Sequence, residues 1–310
     1  MSGIAGMLKS GHRELIRPVT RLMAHRGPDD EGYYTDEHIS LGQRRLAIVD
    51  PAGGRQPIAD ESGRLQLVAN GAIFNGPQLR AELQARGHVF RTATDIEPVL
   101  HLYEEEGPAC VRRLRGMFAL AIWDAGERVL FLARDPLGQK PLFYADTPAG
   151  FAFASEAKSI LAAGLVAPAP DLQAVWHHMS LRFVPDRRTF FKGVSKLPAA
   201  TWMLRGADGV LRSERYWAPD FRRKLDGGEE EIVEHLDQVL SESVRAHLLS
   251  DVPVGSFLSG GIDSGLVTAM MAKALGRPFP AFSIGVREQS FNELPWARKV
   301  VERHGLLGRE

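Results

Sequence analysis

Apolar residues are spaced in two different ways along the chain. In the first half they form short runs of strand length, separated by segments rich in Gly, Pro, Asn and Asp. The last four of these runs form two pairs joined by short loops, which is typical of hairpins. The predicted strands are 41–50, 65–69, 117–123, 129–133, 142–144 and 151–154.

Helical signals lie between these strands. Residues 77–86 predict a helix that Gly87 ends, and the capping-box pattern Thr94-Asp95-Ile96-Glu97 predicts the start of a helix that runs to Gly107. Hairpins that alternate with helices favour an antiparallel sheet covered by helices, an α+β architecture. Its core is predicted to include Phe118, Trp123, Phe131, Phe143 and Phe153.

The pattern changes after Asp226-Gly227-Gly228. An amphipathic helix is predicted over 229–249, followed by strands at 252–258 and 279–285. The first of these strands leads through the loop 259–265 into a helix that ends near Leu275-Gly276, and a second helix is predicted at 292–304. These two βα units predict a parallel sheet, whereas an open nucleotide-binding sheet needs about five strands. We therefore expect two domains, 1–215 with its Pro-rich connector from residue 167 and an incomplete one at 228–310.

Composition narrows the possible partners. Lys plus Arg equals Asp plus Glu at 38 each, and no basic block is present, which argues against nucleic-acid and anionic-membrane binding. The expected partners are small molecules. The single cysteine, Cys110, excludes an intrachain disulfide framework and favours a reducing compartment. Residues 1–25 carry no apolar h-region and no stretch approaches ~18 uninterrupted apolar residues, so we expect no signal peptide or membrane span and a cytoplasmic protein.

The first residues offer a nucleophile. The chain starts Met1-Ser2-Gly3, and initiator Met is usually removed before a small residue, so Ser2 is expected to become the first residue. An α-amine has an unperturbed pKa of about 7.7–8.0 and can accept a proton from its own side chain near neutrality. Ser2 is therefore a candidate nucleophile and base together. An ordinary N-terminus without function is the alternative.

Polar groups that suit acyl transfer recur along the first half. Arg44 and Arg45 face opposite sides of an extended segment, so one can be solvated while the other captures a carboxylate, or both are ordinary surface arginines. Asn70 beside Gly71 is either an oxyanion-hole pair or a simple turn. Asp95 is either a ligand-binding carboxylate or a residue that complements the dipole of the helix after it.

A second kind of site follows the strand at 252–258. Ser259-Gly260-Gly261-Ile262-Asp263-Ser264-Gly265 leads directly from this strand into a helix. Free N–H groups and the positive end of a helix bind phosphate, although this loop lacks the Lys of a Walker A motif. The segment predicts a phosphate site, with a plain turn as the alternative.

Taken in order, these motifs resemble one family, the glutamine-hydrolysing asparagine synthetases and their relatives, which are amidotransferases with an N-terminal-nucleophile glutaminase domain. The resemblance covers nearly the whole chain. Its motifs are Gly3-Ile4-Ala5-Gly6, Arg26-Gly27-Pro28-Asp29, Arg45-Leu46-Ala47-Ile48-Val49-Asp50, Asn70-Gly71 with Asn75, Thr94-Asp95, Gly116-Met117-Phe118, Ala133-Arg134-Asp135, Lys140-Pro141-Leu142 and the pyrophosphatase-type loop Ser259 to Ser264.

The resemblance implies an αββα sandwich followed by the start of a PP-loop α/β domain. In such enzymes glutamine yields ammonia, which passes through an internal tunnel and amidates an adenylated carboxylate, aspartate by default. By similarity, Arg45 binds the glutamine carboxylate, Asp95 binds its ammonium group, and Asn70 with Gly71 forms the oxyanion hole. The remaining implied pocket residues are Leu46, Ala47, Ile48, Val49 and Ala72. The implied ATP residues are Leu258, Ser259, Gly260, Gly261, Asp263, Ser264 and Ile284, with Asp263 near Mg²⁺.

Two positions depart from the family pattern. The nucleophile is usually cysteine where this chain has Ser2, and Glu is usual where it has Ala72. A serine hydroxyl is the weaker nucleophile, so glutaminase activity is expected to be impaired. The substitution is either engineered, to trap bound glutamine, or natural in an ammonia-dependent synthetase. A non-catalytic glutamine-binding or scaffold module is the rival interpretation, and a homodimer is possible in either case.

Overall fold

The computed structural model describes residues 2–8, 13–206, 208–222 and 224–310, with the side chain of Gln289 left out. The expected removal of Met1 lies outside the described residues. The chain forms two compact units, one up to Pro219 and the other from Asp220 onward. In the part of the chain that is described, no helix combines the length and hydropathy needed to cross a membrane.

Eight α-helices and fifteen strands are assigned among the described residues. The helices are α1 Ile16–Arg21, α2 Gly76–Ala85, α3 Glu97–Glu106, α4 Ala157–Ala162, α5 Leu172–Leu181, α6 Glu229–His247, α7 Ile262–Leu275 and α8 Leu294–His304. The strands are β1 Gly3–Leu8, β2 Asp30–Thr35, β3 Ile39–Arg45, β4 Ile58–Ala59, β5 Leu65–Ile73, β6 Gly116–Asp124, β7 Val129–Arg134, β8 Phe143–Thr147, β9 Gly150–Ala154, β10 Ser195–Lys196, β11 Thr201–Gly206, β12 Leu211–Arg215, β13 Ser256–Phe257, β14 Pro280–Phe282 and β15 Leu307–Arg309.

The first unit consists of two six-stranded antiparallel sheets between helices. Their strand orders are β10-β8-β9-β1-β3-β2 and β12-β11-β7-β6-β5-β4. Ile4 and Phe153 of the first sheet pack against Val68 and Trp123 of the second, all fully buried, so the two sheets share a dry core. α2 and α3 cover the second sheet, whereas α1 and α4 cover the first. This αββα arrangement confirms the predicted α+β class.

The strand register brings the start of the chain to the centre of the first sheet. β1 lies between β3 and β9, and Gly3 pairs with Arg44. β5 pairs with β6 from Leu65 opposite Asp124 to Ile73 opposite Gly116. Residue 2 is therefore held beside the end of β3, while residues 70–73 lie in the other sheet.

Three predicted boundaries in this unit were wrong. The first predicted strand ends at Arg45 rather than Asp50, because the Arg45 side chain donates hydrogen bonds to the carbonyl groups of Val49 and Asp50 and so stabilises a loop there. The second continues through Asn70-Gly71 to Ile73, since β6 pairs along its whole length. The predicted connector contributes β11, which pairs with β7, so residues 201–215 complete the second sheet.

The second unit is a parallel three-stranded sheet, β13-β14-β15, with α6, α7 and α8. Leu258, Phe279 and Ala281 form its core with Met271, Ala297 and Leu306. β13 is only two residues long, shorter than predicted, because β14, with which it pairs, itself runs only from Pro280 to Phe282. The short strand β15 has no apolar run and was missed.

Candidate functional site

Ser2 sits at the end of β3, where two hydrogen bonds hold it. Leu46 N–H donates to Ser2 Oγ at 3.2 Å, and Arg26 Nε donates to the Ser2 carbonyl at 3.0 Å. Arg26 is anchored in turn by Glu156, 3.2 Å from its Nη1. Gly3 lies so close to Met23 that an added Cβ would come within 2.9 Å of the Met23 Cβ. The hydroxyl of Ser2 is thus oriented by backbone and side chain together.

Arg45 lies one residue from this contact and is 5% exposed. Its Nη2 donates to the carbonyl oxygens of Val49 at 2.9 Å and Asp50 at 2.7 Å, and Nη1 donates to that of Pro51 at 3.2 Å. Burial lowers its pKa, and nearby carboxylates, first Asp50, partly offset this. Three of the five guanidinium donors hold the loop, so the fork is held rigidly as a buried cation.

Arg44 faces the opposite side, as strand alternation predicted, but it is not solvated. It donates to the Gly27 carbonyl at 2.8 Å and to Glu31 at 2.7 Å. Hydrogen bonds from Arg21, Tyr33 and Arg44 outweigh the effect of burial and lower the pKa of Glu31 to about 2. Arg44 therefore has a structural role at this edge of the sheet.

Asn70 is a buried polar residue whose side chain has no partner in the described chain. It is 1% exposed, and neither Nδ2 nor Oδ1 of its amide has a hydrogen-bond partner. Asn75, five residues further on, is fully used: Nδ2 donates to Arg113 O and Oδ1 accepts from Arg115 N–H, both at 2.9 Å. Buried amides are rarely left unpaired, so the Asn70 side chain is poised for a partner that is not part of the chain.

Gly71 follows Asn70 within β5 and is exposed. A Cβ at this position would lie 2.1 Å from the carbonyl oxygen of Met117 and 2.7 Å from the Phe118 Cα on β6. Only glycine permits the two strands to approach this closely. The predicted turn is therefore a strand, but the close approach expected of Gly71 is present.

Asp95 is 7% exposed, and its Oδ2 accepts from the Ile73 N–H at 2.6 Å. Burial raises its pKa to about 6, although this hydrogen bond and the charges of Arg45 and Arg80 oppose the shift. α3 starts only at Glu97, whose N–H donates to Thr94 Oγ1 at 3.3 Å. The Glu97 carboxylate accepts from the N–H groups of Arg91 and Thr92, so only half of the predicted capping box forms. Asp95 therefore lies outside the helix.

These contacts bring the predicted glutamine-site residues into one neighbourhood. Leu46 links Ser2 to Arg45, and Asp95 is bonded to the strand that carries Asn70, Gly71 and Ala72. Gly54 is so close to Arg45 Nη2 and Thr94 Cγ2 that a Cβ would lie 2.3 Å from each. In the loop, Leu46, Ala47 and Val49 are half-buried and Ile48 is exposed.

Several residues that shape this neighbourhood were missed as site residues. Asp29 Oδ2 accepts from the Ala47 N–H at 2.8 Å, and Asp50, with a φ of 49°, accepts from the Ala93 N–H at 2.8 Å. Gln43 Nε2 donates to the Ala69 carbonyl at 3.1 Å, and Gln56 Oε1 accepts from the Ala69 N–H at 2.6 Å. The Asp-Pro-Ala-Gly turn after Val49 was the one local signal for Asp50.

The predicted phosphate loop has the expected form in the second unit. It connects β13 to α7, and the helix begins after Gly261, without a side-chain cap on its N–H groups. Ser259 Oγ lies 2.9 Å from Ser264 Oγ, and the Ser264 hydroxyl contacts Gly261 O at 3.2 Å. Gly260 has a φ of 94°, and a Cβ there would lie 2.5 Å from Glu293 O. The open helix end suits an anion.

The other predicted nucleotide residues flank this loop. Leu258 is buried, and its N–H donates to the Phe282 carbonyl at 2.8 Å. Asp263 is exposed in the first turn of α7, and Ile284 is 88% exposed beyond β14. The carboxyl ends of β13 and β14 thus face the same edge of the parallel sheet.

Two stacked antiparallel sheets with the first residues on a central strand define the class: an N-terminal-nucleophile amidotransferase fold. The solved structure of the allosteric regulatory enzyme of purine biosynthesis superposes with a TM-score of 0.55 at 19% identity, covering 92% of this chain and 66% of that one. At this identity the match shows the fold alone.

Sequence families define the chain further. Residues 1–217 match the glutamine amidotransferase domain family, and residues 235–309 match the asparagine synthase family. The chain belongs to the asparagine synthetase-type glutamine amidotransferases.

Relatives from Bacillus subtilis (strain 168) agree. Asparagine synthetase [glutamine-hydrolyzing] 1 is 37% identical over 293 residues, covering 94% of this chain and 46% of the relative. Asparagine synthetase [glutamine-hydrolyzing] 3 is 36% identical over 316 residues, covering 94% of this chain and 50% of the relative. The chain thus spans about half the length of these curated relatives.

Proposed function

We propose that the first unit binds glutamine and hydrolyses its side-chain amide to glutamate and ammonia. The observation that carries this proposal is the Asn70 amide, buried with both polar atoms unpartnered on the strand that Asp95 binds. A buried orphan amide is costly in a resting protein, and an oxyanion supplies the acceptor that its N–H₂ group lacks.

The recognition step uses the two buried charges. The Arg45 guanidinium, held by backbone carbonyls, binds the α-carboxylate of glutamine through its remaining donors. Asp95 binds the α-ammonium group, which restores the ionised form that burial disfavours. An α-amino acid carries both groups and can satisfy both charges at once.

The chemical step uses Ser2. Its hydroxyl transfers a proton to the free α-amine, and the oxygen attacks the amide carbon of glutamine. The oxyanion that forms accepts hydrogen bonds from Asn70 Nδ2 and the Gly71 N–H. The carbon–nitrogen bond then breaks, the amine returns the proton, and ammonia leaves. Water hydrolyses the remaining ester to glutamate and regenerates Ser2.

The low reactivity of the Ser2 hydroxyl limits the rate of this reaction. A serine hydroxyl reacts more slowly than a thiol when its only base is an amine, so hydrolysis is impaired relative to a cysteine enzyme while binding is kept. The buried groups Arg45, Asp95 and Asn70 beside a weak nucleophile also favour a second candidate, a glutamine-binding module without turnover. A synthetase that uses free ammonia is the third.

The second unit fits one part of an ATP site. The uncapped start of α7 and the Ser259–Ser264 pair suit phosphate groups, and Asp263 offers an exposed carboxylate for Mg²⁺. When bound, ATP would activate a carboxylate acceptor as an adenylate, with aspartate as the default, and ammonia would convert it to an amide. Glutamine and this acceptor are the proposed partners, in the cytoplasm. A homodimer stays a prediction.

Titration calorimetry with glutamine tests the proposal. The protein is expected to bind glutamine, and Asp95→Asn should abolish the measurable heat because the ammonium group loses its counter-ion. Asp220→Asn, at an exposed position in the other unit, is the matched control and should bind normally. Equal binding by Asp95→Asn and the unchanged chain would refute the assigned recognition.

A further inference from the structure

A cluster of two histidines and two glutamates lies on the helical side of the first unit. Glu61 follows β4, His88 lies between α2 and α3, and His101 and Glu104 lie one turn apart on α3. One ligand atom from each of the four residues lies within 4.8 Å of the others. None of them contributes to the proposed glutamine site.

His101 is the residue that ordinary packing leaves unexplained. It is 1% exposed, and neither ring nitrogen has a hydrogen-bond partner. Its Nδ1 faces Glu61 at 3.5 Å and Glu104 at 4.0 Å. A buried imidazole with both nitrogens unused needs a partner at that point.

The spacing fits ligands around a shared ion better than hydrogen bonds. His88 Nδ1 lies 3.7 Å from both Glu61 and Glu104, outside the usual 2.7–3.2 Å range. Ligands at about 2.0–2.2 Å from a tetrahedral Zn²⁺ ion are about 3.3–3.6 Å apart. Because the four ligand atoms lie within 4.8 Å of one another, side-chain movements of up to about 1 Å would complete the geometry.

Outer carboxylates lie behind both imidazole rings, and one of them is within hydrogen-bond distance. His88 Nε2 lies 3.1 Å from Glu105, which directs its Nδ1 into the cluster. His101 Nε2 faces the buried carboxylate of Glu97 at 3.9 Å. A carboxylate behind a ligating histidine is the usual arrangement at zinc sites.

The charges of the surrounding side chains also favour a bound cation. Among the ion pairs that the structure describes, Glu105 pairs with Arg86 and Glu97 with Arg80. Glu61 and Glu104 are paired only with the two histidines. A divalent cation would balance these two carboxylates while the imidazoles stay neutral.

We propose that Glu61, His88, His101 and Glu104 form a structural site for a divalent transition metal of the Zn²⁺ class. Two imidazole nitrogens and two carboxylate oxygens suit such an ion, and four protein ligands leave no open position for catalysis. The ion joins the segments after β4 and α2 to α3, the helix that starts two residues after Asp95.

Calorimetry on the chelator-treated full chain, with ZnCl₂ as the ligand, tests this site. One ion per chain is expected, and CoCl₂ should give the strong visible absorption of a four-coordinate site. Zn²⁺ should also raise the unfolding temperature. Glu105→Gln should weaken binding by about 10–100-fold through His88, and His88→Gln and Glu104→Gln should weaken it further.

Glu106→Gln is the matched control, since Glu106 lies on the same helix and pairs with Arg113 instead. It should bind Zn²⁺ like the unchanged chain. Absence of stoichiometric binding would overturn the proposal and leave a network of ion pairs. Equal binding by His88→Gln and the unchanged chain would also overturn it, because the ion would then be held by other surface groups.

Discussion

Replacing Asn70 by leucine separates a ligand-binding amide from a structural one. Both atoms of the Asn70 amide are buried and unpartnered, and each buried unsatisfied group costs about 1–3 kcal/mol. Leucine has a similar size and no polar atoms. The ligand-free Asn70→Leu protein is therefore expected to be as stable as the unchanged chain, or more stable by about 1–3 kcal/mol.

Asn75→Leu is the matched control. It removes two hydrogen bonds of 2.9 Å, each contributing about 0.5–1.5 kcal/mol, so stability should fall by about 1–3 kcal/mol. Urea denaturation of all three proteins measures the differences. If Asn70→Leu destabilises as much as Asn75→Leu, the Asn70 amide is bonded in the resting protein and the reasoning fails.

The rate of glutamine hydrolysis should fall in Asn70→Leu, although its stability is kept or raised. In a Ser2→Cys background, Asn70→Leu should lower glutamine hydrolysis by about 10²–10³-fold, the usual effect of losing one oxyanion-hole donor. Ammonia release measures this rate. A gain in stability together with a loss of activity is the signature of a functional group, whereas an unchanged rate would exclude Asn70 from the oxyanion hole.

Three further predictions concern the other residues of the two sites. The pKa of Asp95 is about 6 in the folded protein, against an ordinary value of 3.8, so ionisation opposes folding and stability is lost as pH rises from about 4 to 6. Across that window the stability of Asp95→Asn should gain about 3 kcal/mol relative to the unchanged chain, measured by urea denaturation at several pH values. Glutamine affinity should rise through the same window, and a flat profile would contradict the ammonium contact. Gly71→Ala should destabilise by about 1–3 kcal/mol or more, because its Cβ meets Met117 O. In the same denaturation assay, Gly265→Ala should be neutral or slightly stabilising, because this glycine lies inside α7 and its Cβ would meet only Val300 Cγ2, at 3.8 Å. Gly260→Ala should abolish nucleotide binding in calorimetry on a chain extended through a complete second domain, because φ and space both exclude a side chain; unchanged binding would remove the loop from the ATP site.

Local structure could be predicted wherever the sequence pattern of a short segment determines its conformation. The hairpins of β6 with β7 and β8 with β9 followed from paired apolar runs, and α2 ends near Gly87 as predicted. The same holds for the loop before α7, whose glycine at residue 260 has the positive φ that such a turn requires.

The remaining features depend on contacts between distant segments. Residues 201–206 have no strong periodicity, yet they form a strand because β7 offers an open edge. Arg45 ends β3 through carbonyls four to six residues ahead, and Asp95 finds its partner 22 residues earlier, at Ile73. The cluster of Glu61, His88, His101 and Glu104 could not be found from the sequence, because its four residues are spread over 61–104 and meet only when α3 packs on the second sheet.

The most direct test of the account is ammonia release from glutamine by the Ser2 protein and its Ser2→Cys variant side by side. Intact mass must first show that Met1 is absent in both, and calorimetry must show that both bind glutamine. The account predicts that Ser2→Cys raises hydrolysis by orders of magnitude with little change in affinity, since Arg45 and Asp95 already position the substrate. Equal rates in the two processed, glutamine-binding proteins would mean that residue 2 is not the nucleophile.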